Sequence, residues 1–142
     1  MSDAIDILSS GLSATRLRVN VLAANIANAE TTRTAEGGPY KRRDVVQIGR
    51  TVDSGFSSTL DRISLTKPAI LGVQEDSSEP RKVYQPGHPD ANPEGFVEYP
   101  NINVVTTMTD LMSASRLYQA NVTALETARQ MERDAASLST AV

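Results

Sequence analysis

IDILSSGLSATRLRVNVLAANIANA, Ile5 to Ala29, is the stretch whose reading decides the fold. Ile5, Leu12, Val19 and Ile26 share one position of a seven-residue repeat, and Leu8, Thr15, Leu22 and Ala29 occupy the position three residues on. Apolar spacing of this kind, held over four heptads, predicts a helix from about residue 3 to 29 with a coiled-coil seam. Gly11 is its only glycine and it has no proline, so nothing inside it breaks the helix.

The other end of the chain answers it. A stripe runs through Leu111, Ala114, Leu117/Tyr118, Asn121, Leu125, Ala128, Met131, Ala135 and Leu138 in steps of three and four. It predicts a second, longer helix over about 104–138, with Asn103, just after Pro100, as its N-cap. The stripes are rich in Ala, Ser, Thr and Asn, which let helices approach closely but bury little area each. Two long helices with such broad stripes exceed what one thin chain covers, so an assembly protein is favoured over an ordinary buried hairpin. Ordering a residue costs roughly 1–2 kcal/mol, against about 25 cal/mol per Å² of apolar burial. The arms are therefore expected to fray outside an assembly.

Between the arms the character changes. All seven prolines lie from Pro39 to Pro100, and seven of the eight glycines from Gly37 to Gly95. Asp44–Arg50 and Ala69–Glu75 read as strands, Val83–Tyr84 and Phe96–Tyr99 as short edge pieces, and Gln85–Gly95 as loop. The expected fold class is mainly α with a small β insert. Residues 1–36 and 101–142 are expected to form a helical core packed as a coiled-coil-like hairpin, and 37–100 a β/loop insert between them. The 31–50 segment is net basic and 51–100 net acidic. Lys41-Arg42-Arg43 therefore reads either as a solvated surface or as a patch drawing subunits together side to side, the first being the commoner case.

Composition excludes whole classes of chemistry. The chain of 142 residues has no cysteine and one histidine, His88, and its net charge is −3. Disulfides, thiolate catalysis, zinc fingers and iron–sulfur ligation are thereby removed, and no global basic field recruits nucleic acid. No run approaches the roughly 18 apolar residues of a membrane span. The start, MSDAIDILSS, is acidic and lacks an apolar core, so no cleaved secretory signal is expected. A Ser-His-Asp arrangement has only His88 and Asp90 to draw on, in a proline-broken loop without a Gly-x-Ser-x-Gly elbow. Asp90, Glu94 and Glu98 are the acids available for a carboxylate pair, and they read as solvated. No glycine-rich phosphate loop occurs. The residues assign no catalytic group, metal or cofactor.

Two stretches carry a specific resemblance. Ser10–Arg43 opens Ser-Gly-Leu-Ser-Ala and contains Asn25-Ile26-Ala27-Asn28-Ala29-Glu30-Thr31. It is similar to the N-terminal signature of flagellar rod, hook and related axial proteins. Tyr84–Met131 contains Pro86-Gly87-His88-Pro89-Asp90-Ala91-Asn92, then Tyr99-Pro100-Asn101-Ile102-Asn103, then Ser115-Arg116-Leu117-Tyr118-Gln119-Ala120-Asn121. It resembles the FlgC-type basal-body rod family. Together the two stretches span more than half of the chain, while Asp44–Val83 matches less distinctively.

The resemblance implies a non-enzymatic, polymerising subunit of the flagellar proximal rod, the hollow drive shaft that transmits torque and carries exported subunits across the periplasm. It implies type III export without a cleaved signal, terminal helices lining the inner tube, and an insert facing outward. The implied partners are other rod proteins, the export-gate adaptor and the membrane-anchored ring. No nucleic acid or membrane insertion is implied. The assembly seams would be carried by Ile5, Leu8, Leu12, Val19, Leu22, Ile26, Leu111, Leu117, Tyr118, Leu125, Met131 and Leu138. A small periplasmic cell-wall-acting enzyme and a non-flagellar coiled-coil adaptor are the alternatives.

Overall fold

The computed structural model describes residues 2–51 and 66–140, in the order α1 (Ser2–Ala27), β1 (Arg43–Thr51), β2 (Thr66–Glu75), β3 (Arg81–Tyr84), β4 (Phe96–Tyr99) and α2 (Val104–Thr140). The expected class holds: two long helices enclose a small antiparallel β insert. The helix boundaries agree with the sequence reading to within two residues, and the strands are somewhat longer than expected. Of the acidic insert, residues 52–65 lie outside the described residues.

The helices run antiparallel. Thr15 on α1 meets Asn121 on α2, its Oγ1 accepting from Asn121 Nδ2 at 3.3 Å. Further along α1, Val21 and Leu22 line a cavity with Asp110, so advancing on one helix retreats on the other. At about 1.5 Å per residue, the 26 residues of α1 span about 39 Å and the 37 of α2 about 55 Å. The last part of α2 therefore has no stretch of α1 beside it. Asn103 caps α2 as expected, its Oδ1 accepting from the Thr106 N–H at 3.1 Å. Asn28 closes α1, donating from Nδ2 to the Ala24 carbonyl at 2.9 Å.

The β1–β2 hairpin lies along α1. Its register pairs Arg43 with Glu75 and Thr51 with Thr66, shifting between Val46 and Gln47. Leu71 is the extra residue of that bulge and stands 68% exposed. The Arg43 end is tied to Asn25, while Pro68, opposite Gly49, comes to Gly11. Among the helices and strands, α2 touches only α1, and α1 alone touches both α2 and the first hairpin. α1 is thus the central element. β3 and β4 form a second two-stranded sheet that contacts none of the other four elements.

The core is thin. Ala14, Val21, Leu22, Ala29, Val97, Ala114 and Leu125 are the buried apolar side chains among the described residues, with polar Thr15, Asn25 and Thr107 beside them. Ile5, Leu8, Leu12, Val19 and Ile26 are only half-buried. The burial on α1 is centred on Ala14, Thr15, Val21, Leu22 and Asn25, because two neighbours approach α1 on adjoining flanks.

Two glycines give opposite tests. A Cβ at Gly11 would meet Asn121 Nδ2 at 3.7 Å and Pro68 Cγ at 3.9 Å, ordinary contacts. Gly11→Ala should therefore stabilise the chain by about 0.5–1 kcal/mol through lower unfolded-state entropy. Gly95 has φ +83°, and a Cβ there would stand 2.8 Å from the Tyr84 ring. Gly95→Ala should cost about 1–2 kcal/mol. Urea midpoints of the two variants moving in the same direction would contradict this assignment.

Candidate functional site

Asn25 sits at the junction of helix and hairpin and is 1% exposed. Its Nδ2 donates to the Arg43 carbonyl at 2.7 Å, and its Oδ1 accepts from the Arg43 N–H at 2.9 Å and from the Tyr40 hydroxyl at 3.1 Å. The side-chain amide thus pairs with one residue of β1 as a neighbouring strand would. Burial pushes the Tyr40 hydroxyl above the usual tyrosine range, partly offset by the Arg43 guanidinium, so the phenol stays protonated and donates. That guanidinium lies 5.7 Å from the Tyr40 ring centre and bonds Glu75 at 3.0 Å, which raises its own pKa further.

The basic run is thereby partly spoken for. Arg43 pairs with Glu75, and Arg42 with Asp44 at 2.8 Å. Two of the three cations considered for attraction between subunits are neutralised inside their own chain. The solvated-surface reading is the commoner case, and both arginines sit partly exposed in pairs with acids that β1 and its pairing with β2 bring alongside.

A second polar node joins the helices. Thr15 donates to the Gly11 carbonyl at 2.7 Å and accepts from Asn121, so the buried hydroxyl is satisfied on both counts. A third joins loops. Asp90 Oδ2 accepts from Thr32 Oγ1 at 2.8 Å, and its Oδ1 lies 3.7 Å from Arg33 Nη1. His88 Nδ1 accepts from the backbone N–H of Asp90 at 3.1 Å, not from a serine, and the ring stands edge-on to Tyr99. The His88–Asp90 pair therefore shapes a turn. Glu98 pairs with Lys82 at 3.7 Å, and Glu94 is exposed. Among the described residues no group of three His, Cys, Asp or Glu side chains is placed to hold a metal.

The rest of the Pro86–Asn92 stretch is likewise turn architecture. Asn92 Oδ1 accepts from the N–H groups of Glu94 and Phe96, closing the loop before β4. Tyr84 and Phe96, paired across the strands, stack edge-to-face at 5.4 Å. Pro86, Gly87 and Pro89 are exposed, whereas Pro100 is buried and Asn101 reaches Ser78 Oγ at 3.4 Å. Beside that contact, the Ser78 N–H bonds Asp76 and holds its carboxyl below the usual carboxylate range.

The helical seam residues divide into two groups. Leu22 and Leu125 are buried, and Ile5, Leu8, Leu12, Val19, Ile26, Leu111 and Tyr118 half-buried. Leu117, Met131 and Leu138 are exposed, at 52%, 59% and 72%. Ala27 and Gln119 are also exposed, and Asn121 is half-buried. Sequence reasoning missed the exposed Val105, Met108 and Met112, whose three- and four-residue spacing places them on the face of α2 opposite Ala114 and Leu125. That spacing was a usable signal. It also missed buried Ala14 and Val21, each one residue before a noted heptad position.

Comparisons with known proteins point one way. A family described as "Flagella basal body rod protein" matches residues 5–33, and "Flagellar basal body rod FlgEFG protein C-terminal" matches 94–138. The flagellar basal-body rod protein FlgC of Borreliella burgdorferi is 36% identical, covering 94% of this chain and 94% of the relative. That of Bacillus subtilis is 38% identical over 89% and 90%, and that of Salmonella typhimurium 37% over 89% and 88%.

The Asn25 node has a measurable weight. Asn25→Leu leaves both part-buried backbone groups of Arg43 without their partner, and should cost about 2–4 kcal/mol at roughly 1–3 kcal/mol per unsatisfied group. Tyr40→Phe leaves Oδ1 bonded to the Arg43 N–H, and should cost about 1 kcal/mol. Urea unfolding that finds Tyr40→Phe the more damaging variant would contradict this account.

Proposed function

The chain belongs to the FlgC family of flagellar basal-body rod proteins and is a structural subunit of the basal-body rod, and from that premise we propose that α1 and α2 form the axial core of the rod wall while the β insert faces outward. The observation that carries this reading is the apolar surface left on α2. Leu117, Met131 and Leu138 lie along one side, and Val105, Met108 and Met112 along another. Exposed apolar patches of this kind mark interaction surfaces. Two different patches on one helix suit heterologous, head-to-tail contacts, which build open helical assemblies.

On this reading the subunit polymerises with other rod proteins into a hollow shaft in the periplasm that transmits torque and passes exported subunits. Its further neighbours are the export-gate adaptor below and the membrane-anchored ring around it. It leaves the cell by the flagellar type III route without a cleaved signal, and it is not an enzyme. The last point is supported by the turn geometry, in which the Asp90 carboxylate is turned to Thr32 and Arg33 and the histidine to a backbone N–H.

Residues buried between α1 and α2 make poor probes of assembly. A carboxylate at Leu22 would break the subunit before it could fail to join others. Leu117→Asp and Met131→Asp are better, because both side chains are exposed. Each should leave the circular dichroism of the purified chain unchanged yet abolish swimming, since burying an unpaired charge at an interface costs several kcal/mol. Normal swimming and normal basal bodies in both strains would remove the α2 stripe from the assembly surface.

Fraying follows from the placement of the core. Among the described side chains, α1 has none buried before Ala14 and α2 none after Leu125. In hydrogen exchange on the purified chain, amides in 3–10 and 129–138 should exchange much faster than those in 14–27 and 107–125, and slow only on assembly. Equal protection along both helices would show that the chain orders completely by itself.

A further inference from the structure

The β3–β4 sheet is an outlier in the fold, since its backbone packs closely against neither helix and neither strand of the first hairpin. It is joined covalently through residues 76–80 and 100–103. Asn101–Ser78 links those two connections to each other. Asp90, in the loop between β3 and β4, makes the side-chain ties to the segment that follows α1, namely Thr32 and Arg33.

The two ties are unequal. Arg33 is 79% exposed on its side chain and 3.7 Å away, so its ion pair is screened and weak. Thr32 donates at 2.8 Å to a charged acceptor whose side chain is only 25% exposed, the stronger kind of bond. Both ends are held. Asp90 is fixed by its own N–H to His88 Nδ1 and by the turn bonds from His88 N to Gln85 O and from Ala91 N to His88 O. Thr32 follows Thr31, whose hydroxyl bonds Asn28 and whose carbonyl accepts from Tyr40 N. Val97 of β4 is fully buried and gives the small unit an apolar centre. Apolar burial is non-directional as a driving force, and the hydrogen bond adds a defined direction to it.

We infer that Asp90 is a clasp: through Thr32 it fixes the orientation of the β3–β4 unit relative to the end of α1. It is a positioning residue for the part of the subunit that the rod reading above turns outward, and its functional meaning rests on that reading. The bond needs an acceptor at position 90 and a hydroxyl at position 32, and neither a charge nor the threonine methyl group.

The cysteine-free chain allows a direct test. Spin labels on Ala23→Cys in α1 and Lys82→Cys in β3, both exposed positions, report the distance between helix and small sheet by electron–electron dipolar spectroscopy. The otherwise unchanged chain should give one narrow distance population. Asp90→Ala and Thr32→Val should each turn it into a broad or split one, with circular dichroism unchanged. Asp90→Asn and Thr32→Ser, which keep the acceptor and the hydroxyl, should stay narrow. A narrow distribution in Asp90→Ala or in Thr32→Val overturns the clasp, as does broadening in Thr32→Ser or Asp90→Asn. The measurement is made on the isolated chain, so such a result leaves the rod reading standing on the Leu117 and Met131 variants.

Discussion

The Asn25 amide facing the backbone of Arg43 is the constraint from which the arrangement follows. Asparagine near the end of a helix is a poor helix former, and burying its amide unpaired would be costly. Here every contact is with β1 or with the loop that leads to it, two to the Arg43 backbone and one to Tyr40. The chain leaving α1 is therefore brought back against that helix within 18 residues of sequence. Once Arg43 is anchored there, antiparallel pairing with Glu75 and the approach of Pro68 to Gly11 lay the hairpin along the helix. α2 takes the adjoining flank of α1, where the Thr15–Asn121 bond and buried Leu22, Ala114 and Leu125 receive it.

This double use of α1 explains which parts of the fold were legible beforehand. The heptad of Ile5–Ala29 announced a helix with a seam, and the glycine and proline distribution announced the insert; both are present. A heptad states that a seam exists and is silent on how many neighbours share it. With a helix and a hairpin both against α1, burial moves to Ala14, Val21 and Asn25, and the Ile5–Leu12–Val19–Ile26 row sits at the margin. On α2 the stripe was read out to Leu138, but the last buried side chain among those described is Leu125, and α1, eleven residues the shorter helix, leaves the end of α2 with no stretch of α1 beside it. Length mismatch between partners is a property of the pair and is written in neither helix alone.

The polar nodes were the least legible. Asn25, Asn92, Asp90 and Asn121 lay inside stretches that resemble the rod family, so their positions were marked, but not what they bond. Thr32 and Asp90 are 58 residues apart and Thr15 and Asn121 are 106 apart, and no local pattern predicts such a meeting. The pairing of the basic run was hidden for a related reason. Lys41-Arg42-Arg43 is conspicuous as a string of charges, yet Asp44 follows at once and strand pairing delivers Glu75, so the field it presents to a neighbour is much reduced.

A subunit with seven buried apolar side chains among its described residues, three of them alanines, has little free energy of its own to spare over conformational entropy. Meanwhile Met108, Met112, Leu117, Met131 and Leu138 stay in water. A monomer built for stability would have folded such residues inward, and the narrow α1–α2 contact leaves no interior to receive them. Small side chains such as Ala114 let the two helices approach closely, which keeps the pair slender while turning the larger apolar groups outward. For a chain of the FlgC rod family the arrangement is economical: the burial missing from the monomer becomes available when neighbours cover these faces. In the rod arrangement proposed above, folding of the helix ends and assembly draw on the same apolar surface, while the Asn25 amide ties the first hairpin to α1.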